Sequence, residues 1–173
     1  MRRIRIVVAY DGTNYCGWQI QPNGITIEEI LNRQISKLTG EDIRIIGASR
    51  TDSGVHALGN VAVFDTESRI PGDRFAYALN QKMPEDIVIV RSDEVQIDWH
   101  PRYQNEISKT YEYHIYNAKV RNPLKNRYST FVSFDLDVEK MRQGAKYILG
   151  EHDLQASAMY GLMRKILCVQ CMK

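Results

Sequence analysis

Segments with strand and helix periodicity alternate along the first half of this chain, and their order limits the folds open to it. Four segments have the alternating or β-branched pattern of strands: 2–10, 42–47, 58–65 and 87–91. A helix is predicted between the first two strands and another between the last two. The order βαββαβ indicates an α+β domain of ferredoxin-like (RRM-like) type, with two helices on one sheet face and the other face free to form a cleft.

Local signals predict the ends of both helices. Thr26 followed by Glu29 is a capping box, and the apolar residues after it recur at helical spacing until Gly40. The first helix is therefore predicted at about 26–39. The second is predicted to lie within 71–84, where prolines mark both ends.

The second half repeats this pattern only in part. Thr110–Asn117 alternates as a strand, and Asp137 is a suitable N-cap for a later helix. The apolar residues of that helix share one face: Val138, Met141, Ala145, Ile148 and Leu149. No low-complexity segment separates the halves, so the boundary near residue 105 is not sharply defined. The predicted parts are 1–105, an incomplete second α+β half at 106–153, and a tail at 154–173.

Composition argues against several protein classes. The 173 residues are 43% hydrophobic and 25% charged, which is typical of a globular domain. The N-terminus meets Asp11-Gly12 too soon for a signal peptide and no segment has the length of a membrane span, so we expect a cytoplasmic protein without membrane contact. The terminal C-V-Q-C lacks the second Cys/His pair of a metal site. Without a P-loop or dinucleotide fingerprint, we expect no metal and no cofactor.

Positive charge is concentrated in the second half, although the net charge is only +2. Residues 51–99 hold 4 basic and 9 acidic side chains, whereas residues 100–173 hold 12 basic and 7 acidic ones. The segment 119–127 carries four cations and no anion, a pattern suited to phosphates. A solvated loop without RNA contact is the alternative interpretation.

One short motif carries candidate chemistry. The run A-S-R-T-D-S-G-V-H-A-L-G-N at 48–60 sets Asp52 close to Arg50, in a connection between two predicted strands. A nearby cation favours an ionised carboxylate, which is the form that attacks an electrophilic carbon. Asp-Ser-Gly is also ordinary turn chemistry, because Asp accepts local backbone hydrogen bonds and Gly tolerates positive φ. From these residues alone, a nucleophile and a plain turn both remain open.

The run at 48–60 resembles the G-x-R-T-D-x-G-V-H-A signature of the tRNA pseudouridine synthase A family. Four further blocks resemble that family in the same order: Tyr10–Pro22, Ala78–Ile87, Trp99–Tyr103 and Ser108–Tyr113. The resemblance covers residues 1 to about 153. It implies a cofactor-independent isomerase that converts uridine to pseudouridine in the anticodon arm of tRNA. It also implies a homodimer with two sheets around a positively charged central cleft.

The resemblance implies roles for single residues as well. Asp52 matches the catalytic carboxylate, and Tyr111 matches a tyrosine that stacks on the target base, although by pattern alone it is typical of a packed strand residue. Two roles are open to Arg50: an ion pair with Asp52, or filling the gap left by the flipped uridine. His56 and His100 are interpreted as turn or core histidines, since the isomerisation needs none. The other candidate RNA-binding residues are Arg102, Lys109, Arg121 and Lys125.

Residues from Leu154 onwards resemble none of the family pattern. In the family, the remaining part supplies a basic residue facing the catalytic carboxylate and an apolar residue under the target base. We therefore expect a truncated or frameshifted chain, with a genuinely shortened protein as the alternative. Three hypotheses follow: an active tRNA pseudouridine synthase, a non-catalytic RNA-binding remnant, and an inactive fragment.

Overall fold

The computed structural model describes residues 1–103 and 108–150, and two short strands at 152–153 and 165–166. It divides into two compact units, Met1–Ile107 and Ser108–Lys173. The first unit contains six main elements: β1 (Arg2–Tyr10), α1 (Ile27–Thr39), β2 (Ile46–Gly47), β3 (Ala57–Thr66), α2 (Phe75–Asn80) and β4 (Ile87–Val95). A short 3₁₀ turn at Gly12–Asn14 follows β1, and another at Gly72–Arg74 precedes α2.

The strands of the first unit form one antiparallel sheet in the order β2-β3-β1-β4. The α+β class and the element order βαββαβ are therefore as predicted. The predicted ends of α1 are also correct, because the Thr26 hydroxyl accepts from the Glu29 amide at 3.3 Å and Gly40 ends the helix with a φ of 77°. A side-chain acceptor at the start and a left-handed residue at the end satisfy backbone amides and carbonyls that have no hydrogen-bond partner within the helix.

The core lies between one face of this sheet and the two helices. Alternate residues of β1 are buried because successive strand side chains point to opposite faces. The core side chains from the strands and helices include Ile4, Ile6, Val8, Ile27, Leu31, Ile35, Phe64, Phe75 and Leu79. Fully burying one such side chain contributes about 1.5–3 kcal/mol, so this layer holds the sheet and helices together.

The opposite sheet face is partly covered, whereas it was predicted to be free. Arg3 and Arg5 stand on it, each paired with a carboxylate on a neighbouring strand. Trp99 lies across this face, where its carbonyl accepts from Arg3 at 3.0 Å and its ring lies 5.2 Å from the Arg5 guanidinium carbon. Charged groups on a sheet need partners, and the segment after β4 supplies some of them.

The second strand is much shorter than the predicted 42–47. The amide of Ile43 donates to the hydroxyl of Ser36 at 2.9 Å, and the amide of Ile45 donates to the side-chain oxygen of Asn32 at 2.9 Å. These donors therefore bond to side chains of α1 and not to a neighbouring strand. Only Ile46–Gly47 joins the ladder of β3.

Among its described residues, the second unit contains a parallel pair of strands, an antiparallel pair and one helix. Its elements are β5 (Ile115–Asn117), β6 (Thr130–Val132), α3 (Val138–Lys146), β7 (His152–Asp153) and β8 (Lys165–Ile166). The predicted strand Thr110–Asn117 thus forms only at its end. Asp137 is the N-cap of α3, as predicted, and accepts from the Lys140 amide at 3.0 Å. The lysine contacts hold the pKa of Asp137 below its ordinary value.

The predicted apolar face of α3 is not buried within the described part of the chain. Val138 and Met141 are 52% and 48% exposed. Cys168 and Cys171 of the C-V-Q-C run lie outside the described residues, as does most of the predicted tail. Among the helices that are described, none combines the length and apolar character that crossing a membrane requires.

Candidate active site

The connection between β2 and β3 carries the candidate catalytic motif. Ser49 and Thr51 are half-buried, whereas Arg50 and Asp52 are exposed. This alternation is typical of extended backbone, in which successive side chains point to opposite sides. The connection therefore presents Arg50 and Asp52 to solvent and turns Ser49 and Thr51 towards the domain.

The loop that follows β1 holds this connection through backbone contacts. The amide of Trp18 donates to the carbonyl of Thr51 at 3.0 Å. The carbonyl of Tyr15 accepts from the Gly54 amide at 3.3 Å and from the Ser53 hydroxyl at 3.2 Å. The backbone is thus bonded on both sides of Asp52.

Two glycines allow the loop and the connection to approach so closely. Gly17 has a φ of 83°, and a Cβ atom there would lie 2.5 Å from the carbonyl oxygen of Thr51. A Cβ atom at Gly12 would lie 2.1 Å from the carbonyl oxygen of Val55. Because any larger residue would collide with backbone, the packing of the two segments requires glycine at both positions.

Two buried side chains of the sheet reach the same segment. The hydroxyl oxygens of Tyr10 and Thr51 are 2.9 Å apart. The Asn60 side-chain amide donates to the carbonyl of Ser49 at 3.0 Å and to the hydroxyl of Tyr10 at 3.4 Å. Burial raises the pKa of Tyr10, although its two hydrogen bonds act in the opposite direction.

A third contact ties the loop after β1 to the start of β4. The hydroxyl of Tyr15 donates to the carboxylate of Asp86 at 2.6 Å. Burial, followed by this hydrogen bond and the charge of Asp86, raises the pKa of Tyr15 well above its ordinary value. The Asp11 amide also donates to the Asp86 carbonyl at 2.9 Å. The candidate site is therefore supported from three strands.

The two histidines take part in local contacts. Nδ1 of His56 accepts from the amide of Gly12 at 3.1 Å and lies 3.0 Å from the carboxylate of Asp11. His100 stacks on Tyr103 with 4.5 Å between ring centroids. These contacts agree with the structural roles predicted for both. Among the described residues, no three His, Cys, Asp or Glu side chains are grouped so that they could hold a metal ion.

Arg50 and Asp52 do not form the ion pair that was one of the two predicted roles of Arg50. Both residues are described and exposed, and no N–O distance between them is within 4.0 Å. An exposed pair gains little Coulomb energy in water and would lose side-chain freedom. The proximity of the two residues in sequence therefore does not make Arg50 the electrostatic partner of Asp52.

The candidate RNA-binding cations make contacts of different kinds. In the first unit, Nε of Arg102 donates to the carbonyl of Gly47 at 2.9 Å, so this arginine also tethers its segment to β2. In the second unit, the guanidinium carbon of Arg121 lies 5.0 Å from the ring centroid of Phe131. Nζ of Lys125 lies 4.7 Å from the ring centroid of Tyr116.

Tyr111 and Lys109 lie near the start of the second unit and are both exposed. Tyr111 is 77% exposed, so the alternative of a tyrosine packed in a core is wrong. Lys119 of the segment 119–127 forms an ion pair with Asp135 at 2.8 Å. At least one cation of that segment is therefore paired with a carboxylate, although the segment itself contains no anion.

A sequence model described as tRNA pseudouridine synthase matches residues 6–104, which include the connection with Asp52 and the loop that holds it. The chain belongs to this family. The tRNA pseudouridine synthase A of Acetivibrio thermocellus is 50% identical over 165 residues, which are 95% of this chain and 67% of that protein. The enzyme of the same name from Ruminiclostridium cellulolyticum is 49% identical over 156 residues, 90% of this chain and 63% of that protein.

A third tRNA pseudouridine synthase A, from a Thermoanaerobacter species, is 47% identical over 156 residues, 90% of this chain and 64% of that protein. The chain therefore spans about two thirds of the length of these synthases. A match of 165 residues within a chain of 173 also continues beyond residue 153.

Sequence reasoning missed the residues that support the motif in this synthase-family chain. Tyr10 and Asn60 bond to Thr51 and Ser49 of the candidate site, and Asp86 bonds to Tyr15 of the loop that holds it. The available signal was that all of them fall within runs that resemble the family: Tyr10 within Tyr10–Pro22, Asn60 within 48–60 and Asp86 within Ala78–Ile87. These runs contain no information about which of their residues touch one another.

Proposed function

We propose that this chain isomerises uridine to pseudouridine in tRNA, with Asp52 as the reacting carboxylate. The observation that carries the proposal is the placement of Asp52, an exposed carboxylate on a connection whose backbone is bonded on both sides. A reacting group has to stay within about 0.5 Å of its productive position, and hydrogen bonds from rigid strands meet that need. Membership of the tRNA pseudouridine synthase family supports the choice of reaction.

The reaction moves one bond and leaves the atoms of the nucleotide otherwise unchanged. The bond from ribose C1′ to N1 of the base breaks, and a bond from C1′ to C5 forms. The C5 proton leaves to water and N1 gains a proton, so no oxidation and no net hydrolysis occur. The ionised carboxylate of Asp52 would attack or stabilise the electron-deficient sugar while the base turns over. An exposed carboxylate is within reach of a nucleotide extruded from its stack.

The proposed substrate is the anticodon arm of tRNA. Arg50, exposed two residues before Asp52, would occupy the gap that the flipped uridine leaves. The exposed ring of Tyr111 would stack on the target base. Phosphate contacts are proposed for Arg102, Lys109, Arg121 and Lys125. We propose a cytoplasmic homodimer, as the resemblance to the family implies.

Replacing Asp52 by Asn tests the reaction directly. The change removes the charge and the nucleophilic oxygen but keeps the size of the side chain, so tRNA binding is expected to persist while turnover is abolished. The measurement is tritium release from tRNA that carries 5-tritiated uridine. Asp42→Asn is the matched control, because Asp42 is another exposed carboxylate that precedes β2. Substantial tritium release by Asp52→Asn would contradict the assignment of Asp52 as the reacting carboxylate.

A second candidate function is tRNA binding without isomerisation. It is favoured by the cations that rest on aromatic rings in the second unit, since such surfaces bind single-stranded RNA by charge and stacking. The same assay separates the two functions. Binding of tRNA by the unmodified chain without any tritium release would favour the binding function over the isomerase.

A further inference from the structure

The segment before Asp52 is held by side chains as well as by backbone. Ser49 and Thr51 face the domain, and each is bonded there to a buried residue of the sheet. Tyr10 is only 5% exposed and Asn60 only 8%. The residues on either side of Arg50 are therefore fixed by groups that belong to β1 and β3.

The local shape of the sheet brings these two side chains together. In the pairing of β1 with β3, Val8 lies opposite Asn60, but Tyr10 lies opposite Ala57, so the register shifts between them. Such a bulge bends its strand and changes the direction of nearby side chains. At this end of the sheet, it allows the Tyr10 hydroxyl to lie within hydrogen-bond distance of both Asn60 and Thr51.

The donors and acceptors of this group are compatible with one another. The Asn60 amide donates to the Tyr10 oxygen, which leaves the Tyr10 proton available to the hydroxyl oxygen of Thr51. The ordinary pKa of a tyrosine is 10.0 and burial raises that of Tyr10, so the phenol is protonated at neutral pH. Removing one member leaves a buried polar group without its partner, which costs more than the bond itself contributes.

We propose that Tyr10 and Asn60 are positioning residues for the reaction, which hold Asp52 in place through Thr51 and Ser49. The role in turnover rests on the proposed function, whereas the role in holding the connection does not. Neither residue touches the reacting atoms in this arrangement. Their effect is to keep the carboxylate in one geometry before tRNA binds.

Hydrogen exchange of the unmodified chain and its variants tests the holding role without any turnover. The amides of Trp18, Gly54 and Val55 are bonded within this loop pair and report its opening. Tyr10→Phe and Thr51→Val each remove one hydroxyl, and we expect each to accelerate these amides about three- to tenfold. In the double variant, these amides are expected to exchange no faster than in the single variants, because both changes break the bond between Tyr10 and Thr51.

Two matched variants and one internal reference complete that experiment. Thr51→Ser keeps the hydroxyl and is expected to exchange at the rate of the unmodified chain. Tyr77→Phe removes a hydroxyl from a tyrosine that is 70% exposed and is expected to change nothing. The amide of Ile6 in the sheet reports general loss of folding. Unchanged exchange in both Tyr10→Phe and Thr51→Val would overturn the inference.

Tritium release then separates this inference from the proposed function. Tyr10→Phe is expected to lower kcat about tenfold and to leave the KM for tRNA within about twofold, with Thr51→Ser unimpaired. If Asp52→Asn abolishes turnover while Tyr10→Phe keeps the full kcat, the positioning role is wrong. If Asp52→Asn stays active, or the unmodified chain releases no tritium, the proposed function fails and hydrogen exchange alone decides the holding role.

Discussion

Asp52 and Tyr111, on which the proposed chemistry depends, are both exposed side chains. Their exposure has a physical reason, because an extruded nucleotide can reach only groups that the protein does not cover itself. Asp52 combines an exposed side chain with a bonded backbone. Tyr111 presents a large apolar ring to water, and covering such a ring by a base is favourable whatever the base.

Substitutions at Tyr111 are expected to separate stacking from the hydroxyl. Tyr111→Phe keeps the ring and is expected to bind tRNA as the unmodified chain does, whereas Tyr111→Ala loses about 1–3 kcal/mol of stacking. The measurement is equilibrium binding of tRNA at fixed salt. Tyr147→Ala is the control, since Tyr147 is 84% exposed and lies at the end of α3. Equal affinity of the Ala and Phe variants would show that Tyr111 does not stack on RNA.

At the scale of elements, the loop after β1 links the β2–β3 connection to the start of β4. It bonds to the β2–β3 connection through Trp18 and Tyr15, and to the start of β4 through the Tyr15 hydroxyl and Asp86. Two of its glycines, Gly12 and Gly17, permit the close approach. The loop therefore couples the position of Asp52 to the packing of the whole sheet.

This coupling predicts a loss of stability at alkaline pH. The ordinary pKa of a tyrosine is 10.0, and in the folded chain the pKa of Tyr15 is raised above it. As the pH rises through 10.0, the unfolded chain loses the tyrosine proton while the folded chain retains it. The contribution of Tyr15 to the free energy of unfolding is thus fully present below pH 10.0 and declines as the pH rises above it.

Tyr15→Phe is expected to make the free energy of unfolding less dependent on pH in that range. Urea unfolding at several pH values between about 9 and about 11 measures the slope. Tyr77→Phe, which changes an exposed tyrosine, is the control. A slope that is equally steep in Tyr15→Phe and in the control would contradict this account of Tyr15.

At the scale of the whole molecule, the two units differ in how they bury apolar residues. The first unit has a core of fully buried side chains between sheet and helices. In the second, the large apolar side chains that remain exposed include Val120, Leu124, Phe134, Val138, Met141 and Tyr147. Apolar surface of this kind favours association with another surface, either RNA, protein or a second copy of the chain.

A charge on the apolar face of α3 is expected to reduce self-association. Met141 is 48% exposed on that face, and Met141→Lys places a cation where two apolar surfaces would meet. Sedimentation velocity over a range of concentrations is the measurement, and a shift towards the monomer is expected. Gln143→Lys adds the same charge at another exposed position of α3. If both variants associate to the same extent, the face around Met141 takes no part in association.

Features set by neighbours along the chain could be predicted from the sequence. The period of two in β1, the capping of α1 at Thr26 and Gly40, and the N-cap at Asp137 all depend on residues within one or two turns. The element order βαββαβ follows from these local patterns. The family could also be recognised, because its motifs are short runs that need no partner elsewhere.

Only the tertiary structure decided how distant segments meet. The shortness of β2 depends on side chains of α1, the cover on the second sheet face depends on Trp99, and the support of Asp52 depends on Tyr10 and Asn60. The ion pair with Asp52, one of the two roles left open for Arg50, shows the converse, since closeness along the chain did not produce contact. Hydrogen bonds form where donors and acceptors meet in space, and in a folded sheet those partners are set by strand register rather than by sequence separation.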